Sequence, residues 1–245
     1  MREKSVLILG ASSDIGRALA LEYAANDYDL IITARNPESL MGLRSHLQIK
    51  FKCEVQVVAL DVSELLDPVC FSGLLARLPL GIISCIGDLS DEKACSSDSK
   101  IMSKNYRVNA EGPIVFLEYF ANRFAQRGYG FVVAISSVAG DRGRASNGFY
   151  GSAKAMLSTY LSALRNRMFR QNVFVLDVRP GFVKTRMTAH LDLPKFLTAE
   201  PSTVARDIFK AQQSRKDIIY TPFYWYWIMI IIRNIPEFIF KRMKI

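Results

Sequence analysis

Histidine is nearly absent from this chain. Only His46 and His190 occur in 245 residues. That excludes a multi-histidine metal centre and leaves a Ser-His-Asp hydrolase just two candidate bases. No G-x-S-x-G nucleophile turn accompanies either one. Cysteine is also sparse. Cys53, Cys70, Cys85 and Cys95 show neither CxxC pairing nor metal-ligand spacing, so they read as thiols of a reducing compartment. No Pro/Gly/Ser-rich linker, low-complexity tract or internal repeat divides the chain. Arg2 and Lys4 ahead of Val6 to Leu9 resemble an export signal, but the apolar run is too short and reads as a first buried strand. Acidic residues are outnumbered, 23 against 32 Lys and Arg, for a formal charge of +9. The surplus is scattered, with a small cluster at Lys241, Arg242 and Lys244. No nucleic-acid-binding module goes with it, so nucleic acid is not the expected partner.

What is present is a large apolar fraction, 50% of residues, enough for the core of one α/β domain. Short β-rich runs fall at residues 5–9, 29–33, 55–60, 81–86, 131–136, 173–178 and 218–221. Helix-period segments lie between them, at 15–26, 37–50, 65–77, 99–127, 149–169 and 201–213. Continuous apolar strands separated by helices predict a parallel sheet covered on both faces. Right-handed crossovers make it a Rossmann-like, doubly wound sheet of seven strands. Residues 1–222 form this nucleotide-binding domain, and 223–245 an apolar and basic C-terminal helical tail of the same domain. Ligands of such sheets sit beyond the carboxyl ends of the strands, so the residues after each strand carry the function.

After the first run comes Gly10-Ala11-Ser12-Ser13-Asp14-Ile15-Gly16. A glycine turn opening a helix lets the backbone approach a pyrophosphate and offers it free N–H groups. Asp14 reads as the cap of that helix, since aspartate favours a helix start. The second run ends Ile31-Ile32-Thr33-Ala34-Arg35. An acidic residue there would bind ribose hydroxyls. Arg35 offers a fork for a 2′-phosphate instead, which points to NADP(H), or is a surface arginine at a helix start. Further on, Tyr150-Gly151-Ser152-Ala153-Lys154 puts a phenol and an ammonium at i and i+4 on one helix face. A phenol of pKa ~10 donates protons poorly near neutrality; lowering it ~3 units takes about 4 kcal/mol, which a nearby cation can partly supply.

These segments resemble the short-chain dehydrogenase/reductase family in kind and in order. The order is the glycine turn, Leu60-Asp61-Val62, Asn109 within Tyr106-Arg107-Val108-Asn109-Ala110, Ile135-Ser136-Ser137, the Tyr150 to Lys154 motif, and Arg179-Pro180-Gly181-Phe182-Val183-Lys184-Thr185. The family usually has glycine where Asp14 stands, and Asn-Asn-Ala-Gly where this chain has Ser84-Cys85-Ile86-Gly87. The resemblance implies an NADP(H)-dependent oxidoreductase. Tyr150 would donate the proton, Lys154 would bind the nicotinamide ribose and lower the tyrosine pKa, and Asn109 would hold a water linking Lys154 to solvent. Ser137, thirteen residues before Tyr150, would bind the substrate oxygen in preference to Ser136. Gly10, Ser12, Ser13, Asp14, Ile15, Gly16, Arg35, Asp61, Val62, Gly87, Pro180 and Gly181 would line the cofactor. Val183 and Thr185 would meet its carboxamide and phosphates. No metal is implied. Family members are often dimers or tetramers through helices near 99–127 and 149–169.

The tail is unusual. Phe223 to Ile232 is apolar all round and holds both tryptophans, with Arg233, Pro236 and Phe238-Ile239-Phe240 beyond. It is about half the ~20 residues that span a bilayer, so it reads as a segment lying on a membrane surface or as one closing the substrate pocket. Together with residues 183–191, the tail resembles that of reductases acting on polyprenyl-phosphate-linked keto sugars. Such an enzyme would work on the cytoplasmic side, peripherally bound to the inner face of the membrane, beside a partner oxidase in cell-envelope synthesis. Arg186 and His190 would then meet phosphate or sugar hydroxyls, although His190 is equally a surface loop residue. The alternatives are reduction of another membrane lipid ketone, such as a ketosphinganine or a steroid, and a non-catalytic NADP(H)-binding sensor.

Overall fold

The computed structural model describes residues 4–64 and 67–243. Seven parallel strands form the sheet: β1 (Ser5–Leu9), β2 (Asp29–Ala34), β3 (Val55–Ala59), β4 (Gly81–Ser84), β5 (Gly130–Ile135), β6 (Val173–Pro180) and, after a small ladder of β7 (Phe182–Val183) with β8 (Thr198–Ala199), β9 (Ile218–Thr221). Their order across the sheet is β3-β2-β1-β4-β5-β6-β9. The chain therefore winds outward from β1 in one direction, then returns to place β4 on β1's other side. That reversal opens a crevice at the carboxyl ends of β1 and β4.

Strand periodicity decides which side chain faces which layer. Val6 and Ile8 point into one core with Leu19, Tyr23, Val204 and Ile208. Leu7 and Leu9 point into the other, with Phe116, Phe120, Leu157 and Leu161. The first layer is built on α1 (Asp14–Ala25), α2 (Met41–Phe51) and, later in the chain, a C-terminal helix over residues 201–213. The second is built on α3 (Pro68–Gly73), with α4 (Glu92–Ser97) and α5 (Ser99–Tyr106) leading to α6 (Gly112–Arg127) and α7 (Gly148–Met168). The 201–213 helix is α8 (Pro201–Gln213), followed by α9 (Tyr224–Asn234) and α10 (Glu237–Phe240).

Two expected helices differ from the sequence reading, and one helix was not expected. The segment predicted at 65–77 is helical only over α3, where Asp67 caps the Val69 amide and Pro68 takes the first turn; its predicted start, Leu65, lies outside the described residues, as does Lys244. The long helix predicted at 99–127 widens into a π turn over Arg107–Glu111. Pro113 has no N–H to give the carbonyl four residues back, so a regular ladder cannot run through this point. Helix α4 has no counterpart among the predicted elements; it is short, and Asp91 caps it through the Ala94 amide.

Beyond β9 the chain turns back over the carboxyl end of β6. The Trp225 indole lies directly on Gly181, where a Cβ would come within 1.9 Å of the ring. It stacks edge-on against Phe182 at 4.9 Å and donates to the Leu197 carbonyl at 3.3 Å. Met229, one turn on, completes a small cluster with Val138. Arg142 ties the following segment down, donating to the Arg233 carbonyl (2.8 Å) and Glu237 (2.7 Å) and lying over the Phe240 ring. No helix among the described residues is long and apolar enough to cross a membrane.

Phe120 is fully buried, edge-on to Phe71 and Tyr119. Phe120→Ala is expected to cost about 3–5 kcal/mol of unfolding free energy. Urea denaturation of the two proteins measures this, and a loss below about 1 kcal/mol would mean that the layer repacks freely.

Candidate active site

The crevice is a cleft of about 680 Å³. At its floor Ser13 ends the turn after β1. Its hydroxyl accepts from the Gly16 amide at 3.0 Å and donates to the Gly10 carbonyl at 2.8 Å. Ser13 is thus the helix cap, and the expected capping role of Asp14 is corrected. Asp14 is the first residue inside the helix. The carboxylate instead reaches the loop after β7, accepting from the Arg186 amide (2.7 Å) and Nε (3.1 Å). Gly10, Ser12, Ser13, Asp14 and Ile15 line the cleft; Gly16 lies beneath it. A Cβ at Gly16 would stand 2.5 Å from the Gly10 carbonyl oxygen, so this glycine serves the close packing of helix on turn.

Along the wall beyond β2 and β3 the lining residues are Ala34, Arg35, Asn36, Ser39, Leu60, Asp61 and Val62. The end of β2 presents a cation, an amide and a hydroxyl but no carboxylate. Asp61 accepts from the Ser63 hydroxyl at 2.7 Å and amide at 2.9 Å. Desolvation pushes its carboxyl up, but the Ser63 bonds and the Arg35 and Lys104 charges together hold it below the ordinary carboxylate value.

Across β4, β5 and β6 the cleft holds Gly87, Ser137, Tyr150, Lys154, Pro180, Gly181, Val183 and Thr185. Ser136 and Ser137 have opposite fates. Ser136 is buried, and its hydroxyl donates to Asp177 at 2.5 Å. Ser137 faces the cleft, accepts from the Ala139 amide at 3.1 Å, and lies near enough to Tyr150 to favour its ionised form. Lys154 is buried and donates to the carbonyls of Ile86 (3.2 Å) and Ile135 (3.1 Å). Asn109 does not line the cleft. Its side chain bridges to Asp88, accepting from its amide at 3.0 Å and donating to its carbonyl at 2.8 Å. A Cβ at Gly87 would lie 3.2 Å from Lys154 Nζ and 3.3 Å from Asn109 Oδ1, so these two polar groups face each other across that glycine.

The charge balance differs from the sequence expectation. Burial pushes the Tyr150 phenol up to about 12, against the Ser137 hydrogen bond, and the Asp88 charge adds to the rise. Burial brings the Lys154 ammonium down to about 8, against the fields of Cys85 and Asp177. The lysine sits 5.7 Å from the tyrosine ring centroid. It does not by itself lower the phenol, which stays a proton donor at neutral pH.

Two tentative substrate residues separate. Arg186 reaches the cleft, but its side chain is engaged by Asp14 and the Ser12 carbonyl. His190, just beyond the 3-10 turn at Arg186–Thr188, is exposed and outside the lining of the cleft. Sequence reasoning missed Asp88, Lys104 and Met187 in the lining. It also missed Glu92, whose carboxylate caps the start of α7 by accepting from the amides of Gly148 (2.9 Å) and Phe149 (3.3 Å). Asp88 carries a readable signal, directly after the Gly87 it shares with the fourth strand end; Glu92 carries none, because its partner lies 56 residues away. Among the described residues no cluster of His, Cys, Asp and Glu could hold a metal ion.

A family model described as short chain dehydrogenase matches residues 4–195. An uncharacterised oxidoreductase of Mycobacterium tuberculosis is 30% identical over 241 residues, 97% of this chain and 96% of that protein. An NADP-dependent 3-hydroxy acid dehydrogenase of Schizosaccharomyces pombe is 25% identical over 234 residues, 88% of this chain and 89% of the relative. A solved short-chain dehydrogenase from Sphingobium yanoikuyae in complex with NADPH shares the fold, with a TM-score of 0.82 at 21% identity over 96% of this chain and 97% of that one.

The lysine has a consequence for stability. Its ordinary value is 10.5 and its folded value about 8. Between those pH values the unfolded chain binds more protons, so stability rises with pH through the window, and the penalty is complete below it. The unfolding free energy of the wild type relative to Lys154→Met is therefore expected to grow from pH 8 to pH 10. Urea titrations at both pH values measure it, and a flat difference would mean that the ammonium is not desolvated.

Proposed function

The chain belongs to the short-chain dehydrogenase family, and from that premise we propose that it is an NADP(H)-dependent carbonyl reductase whose substrate is a polyprenyl-phosphate-linked 2-keto sugar. One observation carries the catalytic part. Ser137, Tyr150 and Lys154 stand together at the wall of the same cleft that holds the glycine turn and Arg35. A proton donor and a polarising donor thus stand beside a dinucleotide-sized crevice.

The cleft fits the cofactor. The turn from Gly10 to Ile15 would cradle the pyrophosphate at the head of α1. Arg35 would meet the 2′-phosphate, Asp61 and Val62 the adenine, and Gly87, Pro180, Gly181, Val183 and Thr185 the nicotinamide end. NADP(H) is also what the Sphingobium structure holds and what the fission-yeast relative depends on. Bound there, it supplies the hydride. The chain's own work is then positional and protic. Ser137 accepts from the Ala139 amide, which leaves its own proton to polarise a carbonyl oxygen. Tyr150 delivers its proton to that oxygen. A phenol near 12 is too weak an acid alone, so proton transfer needs positive charge beside it. Lys154, fixed by two carbonyls, has a third N–H for a ribose hydroxyl, and Asn109 across Gly87 would hold the water that refills the proton.

The lipid part rests on α9. Its Trp225 and Met229 stripe is buried, while Phe223, Tyr226, Trp227, Ile230 and Ile231 form a second apolar face open to solvent. Phe223 is 75% and Trp227 61% exposed, Phe196 beside them is 81% exposed, and Arg233, Lys241 and Arg242 stand at the end of the face. An apolar face with aromatics and flanking cations suits the surface of an anionic bilayer. Residues 183–191 and the tail resemble decaprenylphosphoryl-2-keto-ribose reductase. On this reading the enzyme works peripherally at the cytoplasmic face of the membrane in cell-envelope synthesis, as a dimer or tetramer, on a ketone made by a partner oxidase. Another membrane lipid ketone is the second reading, which the same exposed face favours.

Two measurements test this. NADPH oxidation with a short-chain polyprenyl-phosphoryl 2-keto pentose is expected, with kcat/KM falling roughly 10²- to 10⁴-fold in Tyr150→Phe. Reduction of a ketosphinganine but not of the phospho-sugar would move the assignment to the second reading. Replacing Phe223, Trp227 and Ile231 together with serine is expected to abolish co-sedimentation with vesicles containing anionic lipid. Retained binding would remove α9 from the membrane contact.

A further inference from the structure

The loop between β7 and β8 enters and leaves through their short ladder, Phe182 beside Thr198 and Val183 beside Ala199. Its first turn is rigid. Thr185 and Thr188 cap each other, and the Thr188 hydroxyl donates to the Val183 carbonyl at 2.6 Å. That turn presents Arg186 to one place only, residues 12–14 of the turn after β1. The Arg186 amide and Nε donate to Asp14, and Nη2 donates to the Ser12 carbonyl. The two partners are 172 residues apart in sequence. Resting on the reading of this cleft as a dinucleotide site, we propose that Asp14 and Arg186 are a charge-paired latch holding the loop closed over the cofactor pyrophosphate.

The pair solves a problem that neither residue solves alone. A lone carboxylate on the first residue of α1 faces the same space as a pyrophosphate and repels it. Arg186 neutralises that charge and, through the same carboxylate, anchors the loop that covers the phosphates. The Asp14 carboxylate is the fixed member, 27% exposed; Arg186, 69% exposed, is the member that swings. Opening must break three contacts made by a single residue, so cofactor dissociation is gated there. In this role Arg186 is a positioning residue for the cofactor.

The test is a double-mutant cycle on the NADPH dissociation rate, followed by the change in nucleotide fluorescence in the full chain. Arg186→Met keeps the apolar stem and removes the charge. It is expected to release NADPH about tenfold faster or more, as truncation of one partner of a charge pair does. Asp14→Asn alone is expected to speed release as well, and placed in the Arg186→Met background to add little further, because the pair is already broken. Thermal melting without nucleotide is expected to be the same in all four proteins, which separates the latch from a merely structural role. Effects of the two substitutions that simply multiply would overturn the latch while leaving the dinucleotide site intact. Failure of the wild type to bind NADPH would overturn both.

Discussion

The carboxyl group of Asp177 is buried on β6 of the parallel sheet, and the arrangement of the catalytic wall follows from how it is satisfied. Arg179 from the same strand donates to it at 2.8 Å, and Ser136, directly after β5, at 2.5 Å. Arg179 also reaches Asp141 at 2.9 Å, which in turn accepts from the Tyr220 hydroxyl at 2.7 Å. A buried polar group of this kind is tolerated only when it is hydrogen-bonded. The requirement joins β5, β6, β9 and the loop after β5 into one rigid unit. With Ser136 drawn inward, strand geometry turns Ser137 the other way, into the cleft.

The two polar layers of the site are thus divided by function. The inner layer, Ser136, Asp177 and Arg179, is closed on itself and holds the strand ends in register. The outer layer, Ser137, Tyr150 and Lys154, is incomplete on the cleft side. Lys154 spends two donors on backbone carbonyls, and the Tyr150 hydroxyl faces the cleft beside Ser137. Groups with spare donors beside a crevice are placed to act on something that enters it. Their shifted acidities, phenol up and ammonium down, have one common cause in burial, and they identify where an entering positive charge would have the largest effect.

Much of this was legible in the chain. Apolar runs such as Leu30 to Ile32 are continuous because both faces of a parallel sheet are covered, and that pattern places the strands almost to the residue. The Tyr150 and Lys154 pair was legible because helix spacing is local. Ser137 was preferred over Ser136 by its distance from Tyr150, and the geometry adds the reason, Asp177, which sequence does not reveal from β6. Capping was misread between neighbours: Ser13 and Asp14 are both good caps, and only the position of the first helical residue decides between them. The π turn at Asn109 was visible in Pro113 only after the fact. The Asp14–Arg186 and Glu92–Gly148 contacts were invisible, since nothing local marks a partner 172 or 56 residues away.

Gly181 and Trp225 carry one more consequence. The two tryptophans of the chain lie in a single helix, one sealed on the glycine at the nucleotide strand end and the other turned to solvent. The tryptophan emission of the whole protein therefore originates from α9 alone, as the sum of a dry indole and a wet one. A ligand arriving at the end of β6 perturbs the first, and a surface arriving from outside perturbs the second. The molecule carries its own two-channel optical probe, with nothing to be attached.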